Sequence, residues 1–257
     1  MKLAALISTR SDFPKQQIVA SCQLAKALDM PLTGIVTSDQ GLDYYPVETR
    51  GFIDVAEHSL AQAEQKIAAY GALFKAICEQ HAVAQDWFGK HGFIANEWPY
   101  LAPYFDIAIA TAPLGAADIA KSGVTATLQL ADTSLIKDFD KRCVIAWDGS
   151  SAAARAVRAS LPLLPRFETV DVIAVDAKSR TLPADIGSYL AAHNISSNII
   201  SEVSGDAPVS AVIMDHARQA DLVVMGAYGT ASVLEKIFGG VTEVMRTECP
   251  TPILFAH

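Results

Sequence analysis

The residues with the clearest potential for chemistry are four glycines near the end of the chain. They are Gly226 and Gly229 and, after nine intervening residues, Gly239 and Gly240. A glycine lets the backbone approach a ligand because it has no Cβ, and the start of a following helix offers free N–H groups and a positive dipole end. This combination predicts a phosphate-binding loop. By spacing alone, two glycine pairs more often form a tight turn and a break between helices, so that interpretation stays open.

The surroundings of the loop favour the phosphate interpretation. Asp148 directly follows an apolar run, at the position where a ligand above the carboxyl edge of a parallel sheet would be reached. Its carboxylate could accept hydrogen bonds from ribose hydroxyls or from a base. The alternative role for Asp148 is an N-cap for a helix that begins near Ala152, which Ser150 or Ser151 could fill equally well.

The hydrophobic pattern predicts a parallel sheet, and the ends of its strands would position these residues. Short apolar runs alternate with amphipathic stretches, which is typical of βαβ units and of the α/β class. The predicted strands are Leu3–Ile7, Leu32–Thr37, Ala84–Phe88, Asp106–Ala110 and Thr125–Leu130, then Cys143–Trp147, Val170–Val175, Ile195–Ser201, Leu222–Met225 and Ile253–Phe255. Between them, apolar residues at helical spacing predict helices that pack on the sheet. One such stripe is Ala63, Ile67, Tyr70, Phe74 and Ile77, and another is Val209, Val212, Ile213 and Ala217.

The sequence pattern indicates two copies of the same α/β domain. The polar stretch Asp132–Arg142 separates five predicted strands from five more, so the predicted domains are 1–140 and 141–257. The copies also share a motif, since residues 105–110 parallel residues 220–225, each ending a helix and beginning a fourth strand. Only the second copy carries the glycine loop, and chemistry is therefore expected there.

Composition excludes several classes of protein. With 257 residues, 51% of them hydrophobic, the chain can bury a large core. Its 28 acidic residues exceed the 20 basic ones, which argues against a nucleic-acid-binding surface. No apolar stretch is long enough for a membrane helix, and the apolar opening is expected to be a strand rather than a signal segment. Four scattered cysteines without a CxxC pair favour a reducing cytoplasm, and the histidine spacing predicts no metal site.

Several of these features together resemble the universal stress protein family. They are the strand followed by Asp148-Gly149-Ser150, the alanine-rich helix 152–164, the turn Gly205-Asp206-Ala207-Pro208, the segment 220–226 with its glycine loop, and the ending 249–254. The resemblance covers residues 142–257 almost completely. The first half resembles a diverged copy, so the chain is similar to a tandem, two-domain member of that family.

The resemblance implies two Rossmann-like domains of the adenine-nucleotide-alpha-hydrolase type, each a five-stranded parallel sheet with helices on both faces. In one subgroup such a domain binds ATP, with or without Mg²⁺. On this chain Asp148 would contact the nucleoside, Val175 would flank the adenine, and Met225 and Gly226 would border the ribose and phosphates. The triphosphate would be held by Gly229, Gly239, Gly240, Val241 and Thr242. The last strands of the two domains would pair antiparallel, as an intramolecular pseudo-dimer or with a further homodimer.

The sequence departs from the ATP-binding pattern in both halves. The subgroup usually has Ser or Thr where Gly240 stands, so one hydroxyl donor is missing and binding is expected to weaken about tenfold at most. In the first half, Thr9 stands near the position of Asp148, and residues 111–115 lack both the GxxG spacing and the later glycine pair. No nucleotide is expected there.

Three functions follow, in order of preference. The first is a cytoplasmic stress-response protein whose second domain binds ATP or another adenine nucleotide as a regulatory ligand. The second is a scaffold that has lost nucleotide binding and acts through protein partners or small ligands. The third is an enzyme with at most weak ATP hydrolysis, ranked last because neither a general base nor a metal-binding carboxylate is evident near the loop. No catalytic residue is predicted.

Overall fold

The structure, a computed structural model, describes residues 1–9, 12–38, 51–91, 94–110, 125–130, 139–176, 183–227 and 240–256. The chain divides into two compact units, Met1–Ile119 and Ala120–His257. Residues 131–138 lie outside the described ranges, so the domain boundary expected at 140/141 stays a prediction. The contact-based division lies earlier because residues 126–129 pair with a strand of the second unit.

In its described residues, the first unit forms a parallel sheet of four strands with its helices. Its elements are β1 (Leu3–Ser8), α1 (Lys15–Leu28), β2 (Leu32–Ser38), α2 (Gly51–Gln80), β3 (Gln85–His91), α3 (Ile94–Leu101), a 3₁₀ turn (Ala102–Tyr104) and β4 (Ile107–Ala110). The strand order is β3-β2-β1-β4. Every residue of β1 and β4 is buried, so both faces of the sheet centre are covered, as parallel sheets require.

In its described residues, the second unit has five parallel strands and one antiparallel strand. Its elements are β5 (Ala126–Gln129), β6 (Arg142–Ala146), α4 (Ser151–Ser160), a 3₁₀ turn (Leu164–Arg166), β7 (Thr169–Val175), α5 (Pro183–Ala192), β8 (Asn198–Glu202), α6 (Val209–Ala217), β9 (Leu222–Gly226), α7 (Val241–Glu248) and β10 (Ile253–Ala256). The order is β5-β10-β9-β6-β7-β8. The antiparallel pairing of β5 with β10, expected from the family resemblance, is confirmed.

The helices bury the predicted apolar stripes. On α2, Ala63, Tyr70, Phe74 and Ile77 are at most 6% exposed, whereas Ile67 is half-buried. On α6, Ile213 and Ala217 are buried, whereas Val209 and Val212 are half-buried. Within the described residues, no helix is both long and apolar enough to cross a membrane.

The internal repeat extends to individual hydrogen bonds. Asp106, just before β4, accepts a hydrogen bond from the Lys2 N–H at 2.6 Å, and its own N–H donates to the Lys2 carbonyl. Asp221, just before β9, makes the same exchange with Arg142, at 2.9 and 2.8 Å. In each unit an aspartate therefore ties the start of the fourth strand to the start of the first.

Candidate functional site

Three neighbouring strands of the second unit end at one edge of the sheet, and several predicted residues lie there. Asp148 comes two residues after β6, Val175 is the last residue of β7, and Met225 and Gly226 end β9. Because β6 lies between β7 and β9 and all three run parallel, their carboxyl ends are adjacent. This is the edge at which open α/β sheets bind ligands.

Beneath this edge lies an apolar cluster to which β7, β9 and α7 each contribute a residue of the site. Met225 is buried in it, together with Ala146 and Met245, and Val175 and Val241 pack against it. The two valines are only half-buried. They therefore keep apolar surface that a flat ring could cover, whereas Met225 serves mainly as support.

Gly226 is required by packing. A Cβ on this residue would lie 2.5 Å from the Ala153 nitrogen and 2.8 Å from the Ala152 carbonyl carbon, both backbone atoms. The end of β9 therefore sits directly against the first turn of α4. Close packing against the helix backbone thus explains this glycine, whereas the sequence suggested a tight turn or close approach of a ligand.

Asp148 is exposed and its carboxylate is only partly engaged. Its Oδ1 accepts a hydrogen bond from the Ser150 N–H at 2.9 Å. The N-cap of α4 is Ser150, whose hydroxyl oxygen accepts from the Ala153 N–H at 3.1 Å. The capping role considered for Asp148 thus belongs to Ser150. Within the described part of the chain Asp148 Oδ2 has no partner, so it can accept a hydrogen bond from a ligand.

The start of α7 supplies the remaining described residues. Gly240 is its N-cap residue, and its carbonyl accepts from the Glu243 N–H at 2.8 Å. Among the described residues nothing pairs with the N–H groups of Val241 and Thr242, which makes this helix end a donor site with a positive dipole. The Glu243 carboxylate forms a two-point ion pair with Arg246, which offsets its negative charge. Gly229 and Gly239 lie outside the described residues.

Comparisons with known proteins identify the fold. No protein-family model and no curated protein match the chain. The crystal structure of a universal stress protein from Archaeoglobus fulgidus DSM 4304 does match, with a TM-score of 0.74 and 15% identity over 98% of this chain and 97% of that one. The chain has the universal stress protein fold.

Two further structures, both from Pseudomonas aeruginosa, show the same likeness with a TM-score of 0.51. One, from strain UCBPP-PA14, is named as a candidate universal stress protein and is 16% identical over 99% of this chain and 92% of that chain. The other, a functionally unknown protein from strain PAO1, is 14% identical over 98% and 92%. All three matches extend over both units, so the universal stress protein fold describes the whole length of the chain.

Next to Val175, at this edge of the universal stress protein fold, Asp176 is held by Ser204, a contact that the sequence did not reveal. Asp176 has a left-handed backbone (φ 50°), and its Oδ1 accepts from the Ser204 N–H at 3.0 Å. The Ser204 hydroxyl donates to the other carboxylate oxygen, Oδ2, and these two hydrogen bonds lower the pKa of the Asp176 carboxyl, so this group keeps its charge. Ser204 is 28 residues away in sequence, and no local spacing signals the pair.

The first unit has a different residue environment at the corresponding position. Thr9 is only 2% exposed, and its buried hydroxyl has no hydrogen-bond partner among the described residues. The Lys66 ammonium donates to the Thr9 carbonyl and lies over the Tyr70 ring. A hydroxyl enclosed in this way does not present an acceptor to a ligand as the exposed Asp148 does.

Proposed function

We propose that this chain is a tandem universal stress protein whose second unit binds ATP or another adenine nucleotide as a regulatory ligand. The observation that carries the proposal is the shared cluster of Val175, Met225 and Val241 beside the exposed carboxylate of Asp148. Apolar surface, an acceptor and free helix N–H groups at one edge match the base, ribose and phosphates of a nucleotide.

Each part of the nucleotide has an assigned place in this proposal. The adenine covers Val175, and the ribose donates to Asp148 Oδ2 near Met225 and Gly226. The phosphates accept from the start of α7, at Gly240, Val241 and Thr242, together with Gly229 and Gly239, with or without Mg²⁺. We propose no catalytic residue, because among the described residues near this helix end Glu243 is already paired with Arg246.

The same proposal puts the protein in a reducing cytoplasm, since its four cysteines are buried and free. It also allows the two units to act as a pseudo-dimer within one chain, with or without a further homodimer.

Titration calorimetry with ATP, ADP and AMP tests the proposal, and Asp148→Ala is the decisive variant. Loss of a charged acceptor for the ribose is expected to weaken binding about 10- to 100-fold. Stability should hardly change, because Asp148 is exposed and Ser150 caps α4. Asp215→Ala is the matched control, since it removes the same charge from an exposed site on α6.

If millimolar nucleotide produced no heat of binding and no thermal stabilisation, nucleotide binding would be refuted and the scaffold function would remain. Unchanged affinity in Asp148→Ala would remove this residue from the site.

Gly240→Ser should strengthen nucleotide binding. A Cβ at Gly240 would meet no atom of the described residues within 4 Å, so the serine that the ATP-binding subgroup carries fits against this part of the chain. One added hydroxyl donor is expected to raise affinity up to about tenfold, while capping changes stability by only a few tenths of a kcal/mol. Gly240→Ala adds the Cβ without the hydroxyl and should bind as the parent does; equal gains in both variants would rule out a hydroxyl contact.

A further inference from the structure

Two cysteines of the first unit lie side by side although 56 residues separate them. The Sγ atoms of Cys22, on α1, and Cys78, on α2, are 3.5 Å apart, and both residues are fully buried. The sequence shows neither a CxxC pair nor any other sign of this contact, because packing of the two helices creates it.

The surroundings of the pair keep it inside the helix interface. Ile18 and Ala25 lie one turn to either side of Cys22, and Phe74 lies one turn before Cys78; all three are fully buried. A disulfide needs the sulfurs at about 2.05 Å, so they must close by roughly 1.5 Å, a small adjustment for two side chains already in contact. Cys143 and Cys249, in the other unit, are also buried and free.

We propose that Cys22 and Cys78 are an oxidisable dithiol that closes to a disulfide on reaction with a peroxide. Hydrogen peroxide is close to water in size, so it can reach the pair by local opening of the helix interface, which larger oxidants cannot enter as easily.

The reaction balances with one peroxide per pair. Cys78 gives up its thiol proton and attacks a peroxide oxygen as the thiolate; the O–O bond breaks, Cys78 sulfenic acid forms, and the departing hydroxide takes up that proton and leaves as water. Cys22 then attacks the Cys78 sulfur, the S–S bond forms, the S–O bond breaks and a second water leaves. Two electrons pass from the sulfurs to the peroxide oxygens.

The two thiols differ in pKa, and the reaction steps require such a difference. Their shared hydrogen bond lowers the pKa of Cys78 and raises that of Cys22. Cys78 is therefore the attacking thiol and Cys22 the resolving one. Burial raises the pKa of both Cys143 and Cys249, which disfavours their reaction.

The test uses the full reduced chain under native conditions. After peroxide treatment the intact mass, measured before alkylation, should fall by about 2 Da for the two hydrogens lost. Alkylation and digestion without reduction should then yield the Cys22–Cys78 linked peptide. Of the four free thiols, two should remain in denaturant. The new bond should raise the apparent Tm by roughly 5 to 15 °C, and dithiothreitol should reverse the change.

Variants separate the pair from general thiol oxidation. Cys22→Ser should lose the linked peptide and leave Cys78 to oxidise alone, whereas Cys249→Ser should keep the disulfide. The peptide map of the unmodified chain decides the matter even if a variant does not fold. Absence of the linked peptide, or oxidation of Cys143 and Cys249 at the same rate, would overturn the proposal.

Discussion

Replacing Asp171 by alanine is expected to lower the free energy of unfolding of the second unit by roughly 3 to 5 kcal/mol. Asp171, on β7, is 4% exposed, and its two carboxylate oxygens accept from Arg142 Nε at 2.7 Å and Asn198 Nδ2 at 2.8 Å. Arg142 lies on β6 and Asn198 on β8, so one side chain joins three strands. Its removal would leave the mostly buried Arg142 guanidinium without its carboxylate, although Gln219 and His216 remain beside it.

A matched ion pair on the same unit supplies the control for this effect. Lys141 and Glu168 are also 2.7 Å apart, yet their side chains are 59% and 66% exposed. Water screens such a pair, so Glu168→Ala should cost about 1 kcal/mol or less. Urea unfolding, monitored by circular dichroism, measures the free energy of unfolding of both variants. Equal losses of stability would show that burial does not make the Asp171 ion pair more stabilising than the exposed one.

Gly226→Ala is expected to cost roughly 1 to 3 kcal/mol, even without a ligand. The new Cβ would press on the backbone of Ala152 and Ala153, at 2.5 and 2.8 Å, and helix backbone cannot rotate away as a side chain can. The end of β9 or the first turn of α4 must move, and with it the edge that holds Asp148. Nucleotide binding should therefore weaken together with stability.

Gly240→Ala is the control for this substitution, because it adds the same methyl group where no atom of the described residues lies within 4 Å. Thermal unfolding of both variants, each without nucleotide, separates packing from ligand contact. A parent-like melting temperature for Gly226→Ala would mean that β9 and α4 are less closely packed than these distances indicate.

The strands were predictable because a parallel sheet buried on both faces leaves a continuous apolar run in the sequence. All ten predicted runs overlap an observed strand, and one of the larger shifts is at β8, predicted from Ile195 and observed from Asn198. That strand has exposed and half-buried residues in its burial pattern, so hydrophobicity marks its start poorly.

The candidate site was only partly predictable. The positions of Asp148, Val175 and Gly226 follow from the ends of three strands, which the sequence indicates. The close packing that requires Gly226, the clamp of Asp176 by Ser204 and the contact of Cys22 with Cys78 depend on tertiary approach between distant segments. Local periodicity carries no information about such approach, so these features emerged only from the structure.

The short pairing of β5 with β10 has a practical consequence for dissecting the chain. An expression fragment cut at residue 141, where the sequence places the domain boundary, would lack Thr127, Leu128 and Gln129, which pair with Phe255, Leu254 and Ile253. One side of β10 would then expose unsatisfied N–H and C=O groups, a template for recruiting another polypeptide and hence for aggregation. A soluble fragment of the second unit should therefore begin upstream of Ala126.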